Sequence, residues 1–140
     1  MNEHEVGLLD TSVVILLPMV RDLSLLPRRS VISAITLAEL SVGPLATDDS
    51  AERAQRQAEL QQAEADFDPL PFDADAARVF GRVAAALRRS GRKARARSYD
   101  AMIAAIALAN DLPLYTANPR DFAGIEGLTV VPVTPQRASG

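Results

Sequence analysis

The chain contains no cysteine, which excludes disulfides, thiolate metal sites and cysteine nucleophiles together. Its single histidine, His4, stands in a polar N-terminal stub expected to fray. No internal histidine is therefore available as a general base, and a serine-histidine-acid triad is excluded. Aromatic residues are scarce, with four Phe and two Tyr, so a site that stacks flat rings has few candidates; Tyr99, beside Asp100, is the first to test, and it can equally be core. Long apolar runs are also missing. The longest, Ala101 to Ala109, has nine residues, about half of what a bilayer span requires. The start of the chain carries acids and lacks the basic and apolar segments of a secretory signal, so a cytoplasmic location is expected. Without thiols or imidazoles, hydrolysis at neutral pH falls to a carboxylate of raised pKa or to a metal ion that acidifies a bound water.

What is present suits one domain. A chain of 140 residues that is 48% hydrophobic can bury a proper core, and residues 1–140 are read as a single unit with flexible ends at 1–4 and 135–140. The net charge of −3 hides an uneven distribution. Between Asp48 and Asp75 there are nine acids against two bases, Arg53 and Arg56, and that stretch repels phosphate. Between Arg88 and Arg97 there are six bases and no acid. Arg92, Lys93, Arg95 and Arg97 form a candidate phosphate-facing strip, although a solvated helix end would carry the same charges.

The order of elements follows from hydrophobic patterning. Val6 to Leu9 reads as a strand that stops at Asp10-Thr11-Ser12, residues suited to capping a helix over Val13 to Val20. Val31 to Ile35 repeats the pattern, followed by a helix through Glu39 that ends at Gly43-Pro44. Ser50 to Asp66, rich in Ala, Gln and Glu, predicts an exposed helix with a thin buried stripe. Phe67 to Phe72, flanked by prolines, predicts an edge or irregular strand. Ala76, Phe80, Val83, Ala84 and Leu87 define an amphipathic helix ending at Ser90-Gly91. Ser98 then precedes a helix apolar on every side, Ala101 to Ala109, with Asp100 at its entrance. Leu112 to Tyr115 is a brief strand, Asn118-Pro119 opens a turn, and Leu128 to Val133 is a closing strand. This alternation implies a mostly parallel sheet in a three-layer α/β/α arrangement, whose ligands bind beyond the carboxyl ends of the strands.

Four acids stand near that edge: Asp10, Glu39, Asp100 and Asp121. Each has an innocent role. Asp10 can cap a helix, Thr36-x-x-Glu39 matches a capping box, Asp100 in a first turn complements the helix dipole, and Asp121-Phe122 can be a local turn and core anchor. Yet Asp10 and Asp100 adjoin the most apolar segments of the chain. Ionised carboxylates gathered there repel one another and lose hydration, which a divalent cation relieves. Oxygen ligands suit Mg²⁺, or Mn²⁺ as a substitute.

The pieces Leu8-Leu9-Asp10-Thr11-Ser12, Ile35-Thr36-Leu37-Ala38-Glu39-Leu40, Asp100-Ala101-Met102-Ile103-Ala104-Ala105 and Thr116-Ala117-Asn118-Pro119-Arg120-Asp121-Phe122 resemble, in order, the motifs of PIN-domain ribonucleases, and most of all the VapC toxins. The resemblance runs from Val6 to Val133. It implies a Mg²⁺-dependent endoribonuclease that is dimeric and neutralised by a VapB-type antitoxin. By position, Asp10, Glu39 and Asp100 match the three main acids of the family. Many relatives carry a fourth acid where this chain has Asn118, with Asp121 three residues later, which puts a second metal in doubt. Thr11 and Thr116 are supporting residues, able to orient carboxylates or waters. Two rivals remain: a catalytically silent PIN-like protein-binding module, against which the retained acids argue, and a phosphoryl-accepting receiver domain, whose late lysine has no counterpart beyond Lys93.

Overall fold

The computed structural model describes residues 4–89 and 94–134, with side chains placed for all of these except 94–96. Five strands, β1 (Val6–Leu9), β2 (Arg29–Ser33), β3 (Pro69–Leu70), β4 (Leu114–Thr116) and β5 (Val130–Pro132), form one sheet in the order β3-β2-β1-β4-β5. Every pairing is parallel, with Leu8 opposite Val31 on one side and Leu114 on the other. The helices are α1 (Thr11–Leu16), α2 (Ala34–Val42), α3 (Ser50–Asp66), α4 (Ala74–Arg88) and α5 (Ala94–Ala109). Among the described residues, no helix is long and apolar enough to cross a membrane.

Strand alternation splits the core into two layers. Successive side chains leave a strand on opposite faces, so Leu8 and Leu114 pack with Val83, Leu87, Ile103 and Ile106 of α4 and α5. Their neighbours Leu9 and Tyr115 pack with Val13, Leu40 and Ala63 of α1, α2 and α3. The expected α/β/α sandwich results. Gly7 permits a close approach within it, because a Cβ there would lie 2.8 Å from Tyr115 Cδ1 and 3.0 Å from Pro27 Cβ.

Several boundaries differ from the sequence reading. The first helix starts at Thr11 and gives way after Leu16 to a 3₁₀ turn, Leu17–Met19, where Pro18 has no N–H to continue the ladder. The Thr36-x-x-Glu39 capping box is not formed. Ser33 is the cap, its hydroxyl accepting the Thr36 N–H at 3.0 Å, so Glu39 lies too far along α2 to reach back to the cap. The last long helix begins at Ala94 rather than after Ser98, since Ala and Arg are strong helix formers. Asp100 is thus seven residues into α5. His4 is not frayed: its carbonyl accepts the Arg28 N–H at 3.2 Å, and its ring stands edge-on to Tyr115 at 6.3 Å. The closing strand is confined to Val130–Pro132. The terminal residues 1–3 and 135–140 lie outside the described residues.

Candidate active site

β1 ends at Leu9, and the next residue turns the chain into α1. Asp10 holds extended backbone angles as the helix N-cap, and its Oδ1 accepts the Thr11 N–H at 2.8 Å. Its Oδ2 accepts two hydroxyls, Ser12 Oγ and Thr116 Oγ1, each at 2.8 Å. Those hydroxyls in turn accept backbone N–H groups from the segment after β4: Ser12 Oγ from Ala117 at 3.1 Å, and Thr116 Oγ1 from Asn118 at 3.0 Å. The exits of β1 and β4 are thereby tied together through one carboxylate.

Thr11 makes the equivalent tie toward β2. Its Oγ1 donates to Glu39 Oε1 at 2.6 Å and lies 2.9 Å from Thr36 Oγ1. A hydroxyl carries one proton, and a carboxylate is the stronger acceptor, so Thr11 donates to Glu39 and receives from Thr36. Asp10-Thr11-Ser12 therefore staples three strand exits through its side-chain oxygens.

The electrostatics show strain of a specific kind. Asp10 is only 6% exposed, and burial pushes its carboxyl above the ordinary carboxylate range. The bonds from Thr116, Ser12 and Thr11 pull it down, while the charge of Asp121 pushes it up again. Glu39, half-buried, is raised by burial first and by the charge of Asp10 as well, with the Thr11 bond opposing. Hydrogen bonding does not fully compensate either carboxylate for lost hydration, and each feels another anion.

Asp10, Glu39 and Asp121 are thus brought into one electrostatic neighbourhood. Asp121 lies on a 3₁₀ turn, Pro119–Phe122, anchored by the buried Phe122, and Asn118 precedes that turn without a side-chain capping bond. Asp100 is half-buried on α5, which packs against α2. Because α5 runs back toward the start of β4, its first half lies on the side where the strands end. Among the described residues, no group of three or more His, Asp and Glu side chains forms a ready-made metal cage.

Of the basic strip, Arg92 and Lys93 lie outside the described residues, as does the side chain of Arg95. Arg97 is half-buried, and so is Tyr99. Sequence reasoning named Thr11 and Thr116 as supporting residues but gave Ser12 and Thr36 only helix-capping roles and Ser33 none. The signal for Ser12 was its place two residues after an acid at a strand exit, where a side-chain hydroxyl folds back readily onto its neighbours. Nothing in the spacing marks Thr36 as a partner of Thr11.

The pattern of the PIN domain family matches residues 8–128. Ribonuclease VapC5 of Mycobacterium tuberculosis is 43% identical over 129 residues, which are 91% of this chain and 93% of that protein. The crystal structure of the VapBC-5 toxin-antitoxin family member from the same organism superposes with a TM-score of 0.77 at 40% identity, covering 92% of this chain and 99% of the other. The DNA-bound VapBC structure from Salmonella typhimurium matches with a TM-score of 0.66 at 28% identity, over 93% of this chain and 97% of its counterpart.

Proposed function

The chain belongs to the PIN-domain family, and from that premise we propose that it is a VapC-type toxin, a metal-dependent endoribonuclease that cleaves RNA phosphodiesters and is restrained by a VapB-type antitoxin. The observation that carries this reading is the state of Asp10: a buried carboxylate with three donors, still raised by burial and by the charge of Asp121. Such a group favours a positive charge beside it.

The donor set fits a hard divalent cation, since the described side chains around Asp10 offer carboxylate and hydroxyl oxygens. Mg²⁺ uses one or two protein carboxylates together with waters and substrate phosphate, so a preformed cage is not required. Asp10 and Asp100 are the proposed principal ligands, with Glu39 acting directly or through water, and Mn²⁺ as a substitute. When bound, the ion supplies Lewis acidity that lowers the pKa of a water and offsets charge on the phosphate oxygens.

The protein's own part is positional. Thr116 and Ser12 hold Asp10 Oδ2 in one rotamer, and Thr11 holds Glu39. Glu39, made more basic by burial, orients the attacking water and accepts its proton at Oε2, since Thr11 occupies Oε1. Asp121 is the proposed fourth acid, and Asn118 can add only a neutral oxygen. Arg97 and its basic neighbours guide the RNA backbone toward the acids.

The antitoxin reading has its own support. An apolar recess of about 460 Å³ lies between α1, α2 and α3, walled by Val14, Leu17, Leu40 and Phe67 and rimmed by Glu59 and Asp66. An antitoxin segment with an apolar face and basic flanks suits it. A homodimer is also proposed, on family grounds.

The test is cleavage of single-stranded RNA and duplex DNA, with Mg²⁺ and with EDTA, by the wild type and by Asp10→Asn and Asp100→Asn. Cutting of RNA alone, dependent on Mg²⁺ and lost in both folded variants, is expected. Full activity in either variant removes that residue from the site, and no RNA cleavage by the wild type favours the silent binding module. Added cognate antitoxin should stop the reaction.

A further inference from the structure

A second recess, of about 180 Å³, opens where the end of α4 faces the start of α5, lined by Phe80, Ala84, Arg88, Arg97 and Ser98. Its walls are apolar on the α4 side and cationic at the rim. Arg88 is exposed and Arg97 half-buried. The Nε of Arg97 is sealed from solvent and has no hydrogen-bond partner among the described residues, so the charge of this side chain is offered through its terminal nitrogens.

We infer that this recess is a phosphate subsite that grips the backbone of the bound RNA one step away from the bond being cut. The inference rests on the endoribonuclease reading above and adds to it a contact with a defined residue pair. The Arg88 and Arg97 guanidinium groups both line the recess, and two like charges on so small a volume call for an anionic acceptor between them. Guanidinium forks match phosphate oxygens through paired bonds. The volume is below the usual range for small-molecule sites, which starts at roughly 300 Å³, so the recess takes one group of a longer ligand rather than a whole nucleotide.

Position selects the strand. Arg97 and Asp100 are three residues apart on α5 and so share a face of the helix one turn apart. A strand held at Arg97 is thereby led to Asp100. Phe80 and Ala84 lower the local dielectric, which strengthens the charged bonds.

The experiment is equilibrium binding of a fluorescent single-stranded RNA oligonucleotide in EDTA, where nothing is cut, over a salt series, for the full chain and for Arg97→Gln and Arg88→Gln. Denaturation midpoints are recorded beside each, and Arg88, being exposed, provides a variant that folds should Arg97→Gln not. Each substitution should weaken binding about tenfold, the scale of one charge-assisted contact. Each should also reduce the slope of log affinity against log salt by about 0.7, the value for one phosphate contact on a single strand. KM for RNA cleavage should rise by a similar factor. If the wild type cleaves RNA while both folded variants keep its affinity and slope, the subsite is refuted and the nuclease reading stands. If the wild type neither binds nor cleaves RNA, both fall. A parallel titration with orthophosphate separates the sources. Protection by free phosphate that depends on Arg97, with RNA binding unchanged, identifies a free-phosphate site and overturns the RNA contact.

Discussion

Replacing Thr116 by valine keeps the shape of a fully buried side chain and removes only its hydroxyl. That hydroxyl donates to Asp10 Oδ2 at 2.8 Å and accepts the Asn118 N–H at 3.0 Å. The first bond is the larger loss, because donor and acceptor are both buried and the acceptor is charged. A hydrogen bond to a charged group contributes about 1.5–3 kcal/mol. Asn118 is exposed, so its freed N–H can turn to water and adds little. The expected destabilisation at neutral pH is therefore about 2 kcal/mol, read as a lower denaturant midpoint with an unchanged m-value. The pH dependence discriminates. Among the bonds to Asp10, the one from Thr116 does most to favour the carboxylate over the acid, so the penalty must be largest where Asp10 is ionised. It must shrink toward about 1 kcal/mol, the value of a neutral bond, once Asp10 is protonated. Cleavage should fall about tenfold or more, as for other groups that orient a metal ligand. Thr116→Ser should recover most of both losses. A penalty that is the same at all pH values, or a serine variant as damaged as the valine one, refutes the claim that this hydroxyl serves the Asp10 charge.

Three further outcomes follow from the same geometry. Metal-free protein should lose stability as pH rises: the raised native carboxyls of Asp10 and Glu39 contribute stability below the ordinary carboxylate range, and that contribution is lost as pH climbs through their higher native values. Mg²⁺ at a hundredfold excess over its Kd should then restore about 2.7 kcal/mol at neutral pH, seen as a rise in Tm that Asp10→Asn lacks; an equal rise in that variant places the ion elsewhere. Thr11→Val and Glu39→Gln should be non-additive in a double-mutant cycle, with a coupling of about 1 kcal/mol after discounting Glu39's partial exposure, and additivity would mean the 2.6 Å bond contributes nothing. Gly7→Ala should cost about 1–3 kcal/mol by overpacking against the ring of Tyr115, a fully buried residue. An unchanged urea midpoint would show that the strand shifts freely.

The layered fold was legible because its signals are periodic. Leu8 and Leu9 had to face opposite ways, and the helix through Phe80, Val83 and Leu87 could hardly be anything else. Boundaries were less legible where charge hid helix propensity. The stretch from Ala94 to Arg97 reads as a basic loop, yet alanine and arginine both favour helix, and α5 continues through it. That shift changes the meaning of Asp100. The helix dipole acts within the first turn, so an acid seven residues in cannot be explained as its complement, and the bland role assigned by sequence loses its footing. The capping box failed in the same direction, since with Ser33 as the cap, Glu39 is released from backbone duty and its carboxylate meets Thr11 instead.

What spacing could not reveal was how the acids are supported. Four hydroxyls, from Thr11, Ser12, Thr36 and Thr116, come from three separate stretches of chain, and each is unremarkable where it stands. Folding sets two of them on Asp10 and one on Glu39. Such donors lower a carboxyl pKa, yet here burial still outweighs them. A full set of strong donors would have satisfied the charges and left nothing for a ligand to add. Donors too few would have left the acids protonated and weak as ligands. The arrangement lies between those limits: the acids are oriented, kept from solvent and set against one another, so that the remaining cost of ionising them is one that a small, hard cation is suited to relieve.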